Sequence, residues 1–172
     1  MTREEALEQL DDIGRAQAFG RHIGSDRLIR AGLDALLAGI DTPSLALLAG
    51  LPKREEPEAP ALFDAVLDEL GLRFHPPAHP VAAQWALATW TAARIFDGSR
   101  DPAAGAYDIW GVARELGYPE ELQELVICAV NLDDWSDSWD VAHENLCAKA
   151  VEAARRYLAG RPVEELREAR GC

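Results

Sequence analysis

Cysteine and basic residues are both scarce in this chain of 172 residues. Its three cysteines, Cys128, Cys147 and Cys172, are odd in number and form no CxxC pair, which favours a reducing compartment over a disulfide framework. The 17 lysines and arginines are outnumbered by 30 aspartates and glutamates, so the net charge is −13. A chain this acidic should avoid phosphate-rich surfaces, and we expect neither nucleic acid nor a membrane as its partner.

Long apolar runs are also missing, because even the longest apolar segment is shorter than a membrane-spanning helix. The opening residues, MTREEALEQLDD, are acidic and amphipathic, so we expect no signal peptide and a cytoplasmic location. No glycine-rich phosphate loop occurs in the sequence, because the glycines are isolated from one another, and we interpret them as helix stops. We therefore expect no cofactor.

Alternating strand patterns are absent, whereas alanine, leucine, glutamate and arginine recur throughout. This composition predicts an all-α bundle of seven to nine helices. We predict one globular domain overall, built from an N-terminal helical half (1–73), a proline-rich crossing (74–80), a C-terminal helical half (81–160) and a polar tail (161–172). The segment 81–96 is apolar nearly all round, which predicts a central helix buried on most sides.

Capping residues, prolines and glycines predict where the helices begin and end. Thr2 and Glu5 should form a capping box on a first helix over 2–22, and Thr42 should cap a helix that starts at Pro43. Several apolar residues are predicted to face inward: Leu28, Ile29, Leu33, Leu36 and Leu37 on the second helix, Tyr107, Trp110 and Ala113 after Pro102, and Leu122, Leu125, Val126, Ala129 and Val130 after Pro119.

The stretch from Glu115 to Ala148 contains nine acidic residues and no lysine or arginine. Within it, Asp133, Asp134 and Asp137 form a DDxxD pattern. Carboxylates spaced i and i+4 on a helix can share a divalent cation, which makes Asp133 and Asp137 candidate metal ligands. The sequence contains no second metal motif of the kind that isoprenoid synthases need in addition to DDxxD.

Two other interpretations of this acidic stretch compete with metal binding. In the structural one, 133–146 is an amphipathic helix whose solvent-exposed face carries Asp133, Asp137, Asp140 and Glu144. Alternatively, 133–140 is a loop in which Ser138 or Asp140 caps the next helix. In the other, a basic protein partner docks on Asp133, Asp134, Trp135, Asp137, Trp139 and Asp140.

Two smaller groups of residues could bind a metal or a small molecule. His143 and Cys147 are spaced i and i+4, so both could reach one metal ion, although zinc would need two further ligands. Trp85, Trp90 and Trp110 could line a pocket in the helical bundle. The helix-turn-helix-like segment LIRAGLDALLAGIDTPSLALLAGL is followed by PKREEPEAPALFDAVLDEL, whose six acids would repel DNA.

Two blocks of sequence carry a resemblance. One is LIRAGLDALLAGIDTPSLALLAGLPKREEPEAPALFDAVLDELGL, and the other is ARIFDGSRDPAAGAYDIWGVARELGYPEEL, followed by LDDWSD and EAARRYLAG. Together they resemble an uncharacterised group of small, acidic, all-helical proteins of high-GC actinobacteria. No activity is assigned to that group, so the resemblance implies a fold and no site residues.

We favour a noncatalytic interaction protein, immunity-like, antitoxin-like or accessory in kind, that docks a basic partner through its acidic face. The alternative is a small metal-dependent enzyme, or a protein that binds a metal or small molecule, using the Asp133–Asp137 carboxylates.

Overall fold

The computed structural model describes residues 1–136, 138, 140–162 and 165. These residues form eight α-helices and two short 3-10 helices and contain no strand, so the predicted all-α fold is confirmed. Among them, no helix combines the length and the apolar character needed to cross a membrane. The chain divides into two compact units, Met1–Pro76 and Pro77–Cys172.

The N-terminal unit contains four α-helices and one 3-10 helix. They are α1 (Arg3–Ala18), α2 (Ser25–Leu37), α3 (Pro43–Ala49), a 3-10 helix (Lys53–Glu58) and α4 (Ala59–Leu70). The first helix ends at Ala18, before the predicted residue 22, because Gly20 takes a left-handed conformation there. Gly71, also left-handed, follows the last residue of α4 and ends that helix.

The starts of α1 and α3 are satisfied by side chains. Thr2 and Glu5 form the predicted capping box, in which the Glu5 N–H donates to Thr2 Oγ1 at 3.2 Å and the Thr2 N–H donates to Glu5 Oε2 at 2.6 Å. Thr42 occupies the predicted N-cap position of α3, but its side chain makes no capping hydrogen bond. Glu69 of α4 caps α3 instead, because its carboxylate accepts hydrogen bonds from the backbone N–H and the hydroxyl of Ser44 at 3.1 and 2.6 Å.

The core of the N-terminal unit is closely packed around two helical glycines. A Cβ at Gly32 would lie 2.9 Å from Leu48 Cδ2, and one at Gly14 would lie 2.7 Å from Leu67 Cδ1. Both glycines therefore allow neighbouring helices to approach closely. The core is completed by fully buried apolar side chains that include Leu10, Leu28, Ile40, Leu45, Phe63 and Val66.

The C-terminal unit contains the other four α-helices. They are α5 (Pro80–Phe96), α6 (Pro102–Glu115), α7 (Gln123–Asp133), which is preceded by a 3-10 helix (Glu120–Leu122), and α8 (His143–Ala159). Six consecutive residues of α5, Ala88–Ala93, are buried, so this part of the helix is covered on every side. It packs within this unit against α6 and α8.

A polar cluster links α5 to α8 inside this unit. The Tyr157 hydroxyl lies 3.1 Å from Thr89 Oγ1 and accepts a hydrogen bond from Arg161 Nη2 at 2.7 Å. The Arg161 guanidinium also stacks over the rings of Trp85 and Tyr157, at 4.4 and 4.7 Å from their centroids. Burial raises the pKa of the Tyr157 hydroxyl, although its two hydrogen bonds and the positive charge of Arg161 act in the opposite direction.

Some residues that the sequence assigns to the core face solvent instead. On α2, Leu33 and Leu37 are 39% and 77% exposed. In the C-terminal unit, Tyr107 and Val130 are 57% and 37% exposed. The inward assignments of these four residues were wrong, and the exposed Tyr107 and Val130 both belong to surfaces described below.

Candidate interaction surface at the end of helix α7

Helix α7 ends at Asp133, and the next helix begins at His143. Between them, residues 134–136, 138 and 140–142 are not helical. The interpretation of 133–146 as one amphipathic helix was therefore wrong, and Asp133, Asp140 and Glu144 do not share one helical stripe. The loop interpretation fits, although the N-cap of α8 is Ala142 rather than Ser138 or Asp140.

Trp135 closes this loop onto the start of α8. Its indole N–H donates to the Val141 carbonyl at 2.9 Å, and its ring meets the His143 ring edge-on with centroids 5.1 Å apart. The indole is partly buried by these contacts. Trp135 therefore holds the loop against the start of α8. Two other residues predicted to belong to this surface, Asp137 and Trp139, lie outside the described residues.

The carboxylates around the loop are exposed. Asp133, Asp134, Asp140 and Glu144 face solvent, and no lysine or arginine of the described chain forms an ion pair with them. Glu124, by contrast, pairs with Arg156 at 2.9 Å. Among the described residues, therefore, no ion pair neutralises the negative charge where α7 ends and α8 begins.

Two apolar side chains on α7 lie beside these acids. Ile127 and Val130 are 53% and 37% exposed. They precede Asp134, the C-cap of α7, by seven and four residues, and the Asp134 N–H donates to the Val130 carbonyl at 3.0 Å. Asp134 thus continues the helical turn, and this spacing places the three residues along one side of α7 and its C-cap. We call the surface formed by Ile127, Val130, Asp133 and Asp134 the α7 face. The apolar part of this face was not predicted from the sequence, because an apolar residue in a helix is more often buried than exposed.

His143 and Cys147 come together on the first turns of α8, with Nδ1 and Sγ 3.6 Å apart. Burial raises the pKa of the Cys147 thiol, and the negative charges of Asp101 and Glu144 raise it further. Within the described part of the chain, no three histidine, cysteine or acidic side chains are close enough to hold a metal ion. Of the other candidate ligands, Asp133 ends α7 and Asp137 is outside the described residues. Metal binding therefore stays a prediction.

The three tryptophans predicted to line a pocket have different surroundings. Trp85 stacks on Arg161, as described above, and buried Trp90 lies beneath Arg94, whose guanidinium carbon is 4.9 Å from the ring centroid. Trp110 lines a pocket of ≈ 310 Å³ whose other lining residues are Tyr107, Gly111, Arg114 and Tyr118. We call this the aromatic pocket, and neither Trp85 nor Trp90 contributes to it.

Gly111 lies in the middle of α6, and none of the described residues packs so closely against it that a side chain would be excluded. A Cβ added there would meet nothing within 4 Å outside its own stretch of helix. Gly105 on the same helix differs, because its Cβ would collide with Ile95. A helical glycine at an open position costs about 1 kcal/mol relative to alanine, which suggests a role other than packing.

Comparisons of the chain with protein-family models, with curated proteins and with solved structures find no match. The resemblance to the actinobacterial group stays a prediction. A function must therefore be argued from the surfaces themselves.

Proposed function

We propose that this chain is a noncatalytic interaction protein whose α7 face docks a basic surface of a partner protein. The observation that supports it most is the alignment of exposed Ile127 and Val130 with the Asp134 carboxylate, which forms no ion pair with any described lysine or arginine. Apolar contact residues with charged groups at the edge are typical of protein interfaces.

The placement of the acids supports a cationic partner in particular. Asp133 is the last residue of α7 and Asp134 is its C-cap, and the last turn of α7 contains no basic residue. A helix C-terminus already carries a partial negative charge, so two carboxylates there destabilise the isolated protein. A lysine or arginine from a partner would relieve this repulsion on binding.

The electrostatic part of the proposal can be tested with paired charge variants. The immobilised chain is used to recover partners from an extract of its host, at salt concentrations from about 20 mM to about 500 mM. We expect a basic protein that binds at low salt and elutes as salt rises. It should be lost when Asp133 and Asp134 of the α7 face, together with the exposed Asp140 of the adjacent loop, are changed to asparagine.

The matched control removes the same number of charges elsewhere. Glu8, Asp41 and Glu58 are exposed in the N-terminal unit, and the variant E8Q/D41N/E58Q should bind the partner as the wild type does. Retention of the partner by D133N/D134N/D140N, or its equal loss from both variants, contradicts a specific α7 face.

The contribution of the apolar residues of the α7 face is tested separately. Ile127→Ser should weaken binding of the same partner by about tenfold, because a large contact side chain is truncated, and should leave the salt dependence unchanged. Leu47→Ser is the control, since Leu47 is similarly exposed, at 62%, on α3 of the other unit. Equal effects of the two substitutions would remove Ile127 from the interface.

A further inference from the structure

The aromatic pocket on α6 combines features that point to a ligand different from the basic partner of the α7 face. Its walls are Tyr107, Trp110 and Tyr118, its floor is Gly111, and its cation is Arg114. Tyr107 and Tyr118 are 57% and 55% exposed, so both present aromatic surface to the solvent.

The walls are fixed by local structure. The rings of Tyr107 and Trp110 meet edge-on, with centroids 5.5 Å apart and planes at 86°. Gly117 and Tyr118 are both left-handed, with φ of 78° and 59°, and the Tyr118 N–H donates to the Ala113 carbonyl at 2.7 Å. A left-handed backbone is uncommon outside glycine, and here it belongs to a residue that lines the pocket.

The floor and the cation define the shape and charge of an occupant. Because Gly111 has no side chain and its Cβ position is open, a flat group can lie directly on the helix there. Arg114 is the sole lysine or arginine in the sequence between Arg100 and Lys149. Its side chain is 70% exposed, and its ion pair with Glu115 is long, at 3.7 Å. The guanidinium can therefore form an ion pair with another anion.

We propose that the aromatic pocket binds an aromatic carboxylate of one or two rings. The ligand's ring lies on Gly111 between the aromatic walls, and its carboxylate pairs with the planar guanidinium of Arg114. The volume of ≈ 310 Å³ is at the small end of ligand pockets, which suits a molecule of this size. This proposal does not depend on the α7 face.

The test uses benzoate and indole-3-acetate as probes, with benzamide and indole-3-acetamide as uncharged counterparts. Each is titrated into the ¹⁵N-labelled full chain at about 0.15 M salt, where the repulsion by the chain's net negative charge is largely screened. We expect the carboxylates to shift the resonances of the Gly111 amide and the Trp110 indole N–H, and to bind about tenfold more tightly than the amides, as loss of a charged hydrogen bond implies.

Two variants and one control identify the contacts. Arg114→Gln should reduce carboxylate affinity to that of the amides, and Gly111→Leu should abolish binding of both by filling the floor. Arg54→Gln is the matched control, because Arg54 is also exposed and lies beside a following glutamate, 3.0 Å from Glu55. It should leave the affinity unchanged.

Three outcomes would overturn the proposal. One is the absence of shifts at Gly111 and Trp110 with about 10 mM of either carboxylate, a concentration at which even millimolar binding is visible. Another is equal affinity for carboxylates and amides in the wild type. The third is preferential binding of a proline-rich decapeptide in a manner insensitive to Arg114→Gln, which would make the pocket a polyproline site.

Discussion

Single glycines in this chain have opposite roles according to what surrounds them. At Gly32 a methyl group would collide with Leu48, whereas at Gly111 it would enter open space. Gly111→Ala should therefore raise the free energy of unfolding by about 0.5–1 kcal/mol through helix propensity alone. Gly32→Ala should lower it, because Leu48 belongs to a closely packed core and must shift.

Urea unfolding followed by circular dichroism measures both changes. If Gly111→Ala destabilised the protein as Gly32→Ala does, Gly111 would have a packing role, and the floor of the aromatic pocket would need another explanation. A stabilised G111A protein would instead agree with a glycine retained for access to the helix surface.

Helices α5 and α8 are linked by the buried Tyr157 hydroxyl. Burial raises the pKa of Tyr157 in the folded state, so the folded protein keeps this proton at a pH where the unfolded chain has lost it. Stability should therefore fall as pH rises through and above about 10, the ordinary pKa of tyrosine. Tyr157→Phe should remove this part of the decline. At pH 7 it should cost about 0.5–1.5 kcal/mol per hydrogen bond lost, to Thr89 and Arg161.

Thermal unfolding between pH 7 and pH 11 gives the comparison, with Tyr107→Phe as the control. Tyr107 is more than half exposed, and its substitution should leave the wild-type slope intact. A Tyr157→Phe protein with the same alkaline decline as the wild type would show that some other group is responsible.

Over the whole molecule, a net charge of −13 makes self-repulsion an important term in stability. Raising salt from about 10 mM to about 150 mM shortens the Debye length from about 30 Å to about 8 Å, so the melting temperature should rise. Replacement of Asp133 and Asp134 by asparagine should itself raise stability by about 1 kcal/mol and should reduce the response to salt.

Differential scanning calorimetry across a salt series measures this response. The sign of the change in melting temperature is informative, because added salt should stabilise the free protein while it weakens the proposed partner complex. A melting temperature that falls with salt would mean that the surface ion pairs outweigh the repulsion among unpaired acids.

Helix boundaries could largely be predicted from the sequence, because prolines and left-handed glycines act within a few residues. Pro43, Pro80 and Pro102 begin helices, and the left-handed Gly71 ends one. The capping role of Glu69 could not be predicted, since it lies 25 residues from Ser44 and the two meet only through packing.

The candidate surfaces were less predictable than the helices. The acidity around Asp133 and Asp134 is visible in the sequence, but the loop depends on Trp135 reaching the Val141 carbonyl. Tyr107 and Val130 were assigned to the core because helices α6 and α7 are apolar on more than one side, and periodicity alone does not rank those sides.

The aromatic residues of the chain are divided unequally between its two units. All tryptophans and tyrosines lie beyond Pro76, so residues 1–76 are almost transparent at 280 nm and have no indole emission. Tryptophan fluorescence therefore records the melting of the C-terminal unit alone, whereas circular dichroism at 222 nm records helices in both. Superimposable curves from the two signals would mean that the units unfold cooperatively, and separated curves would give each unit its own transition, without any added label.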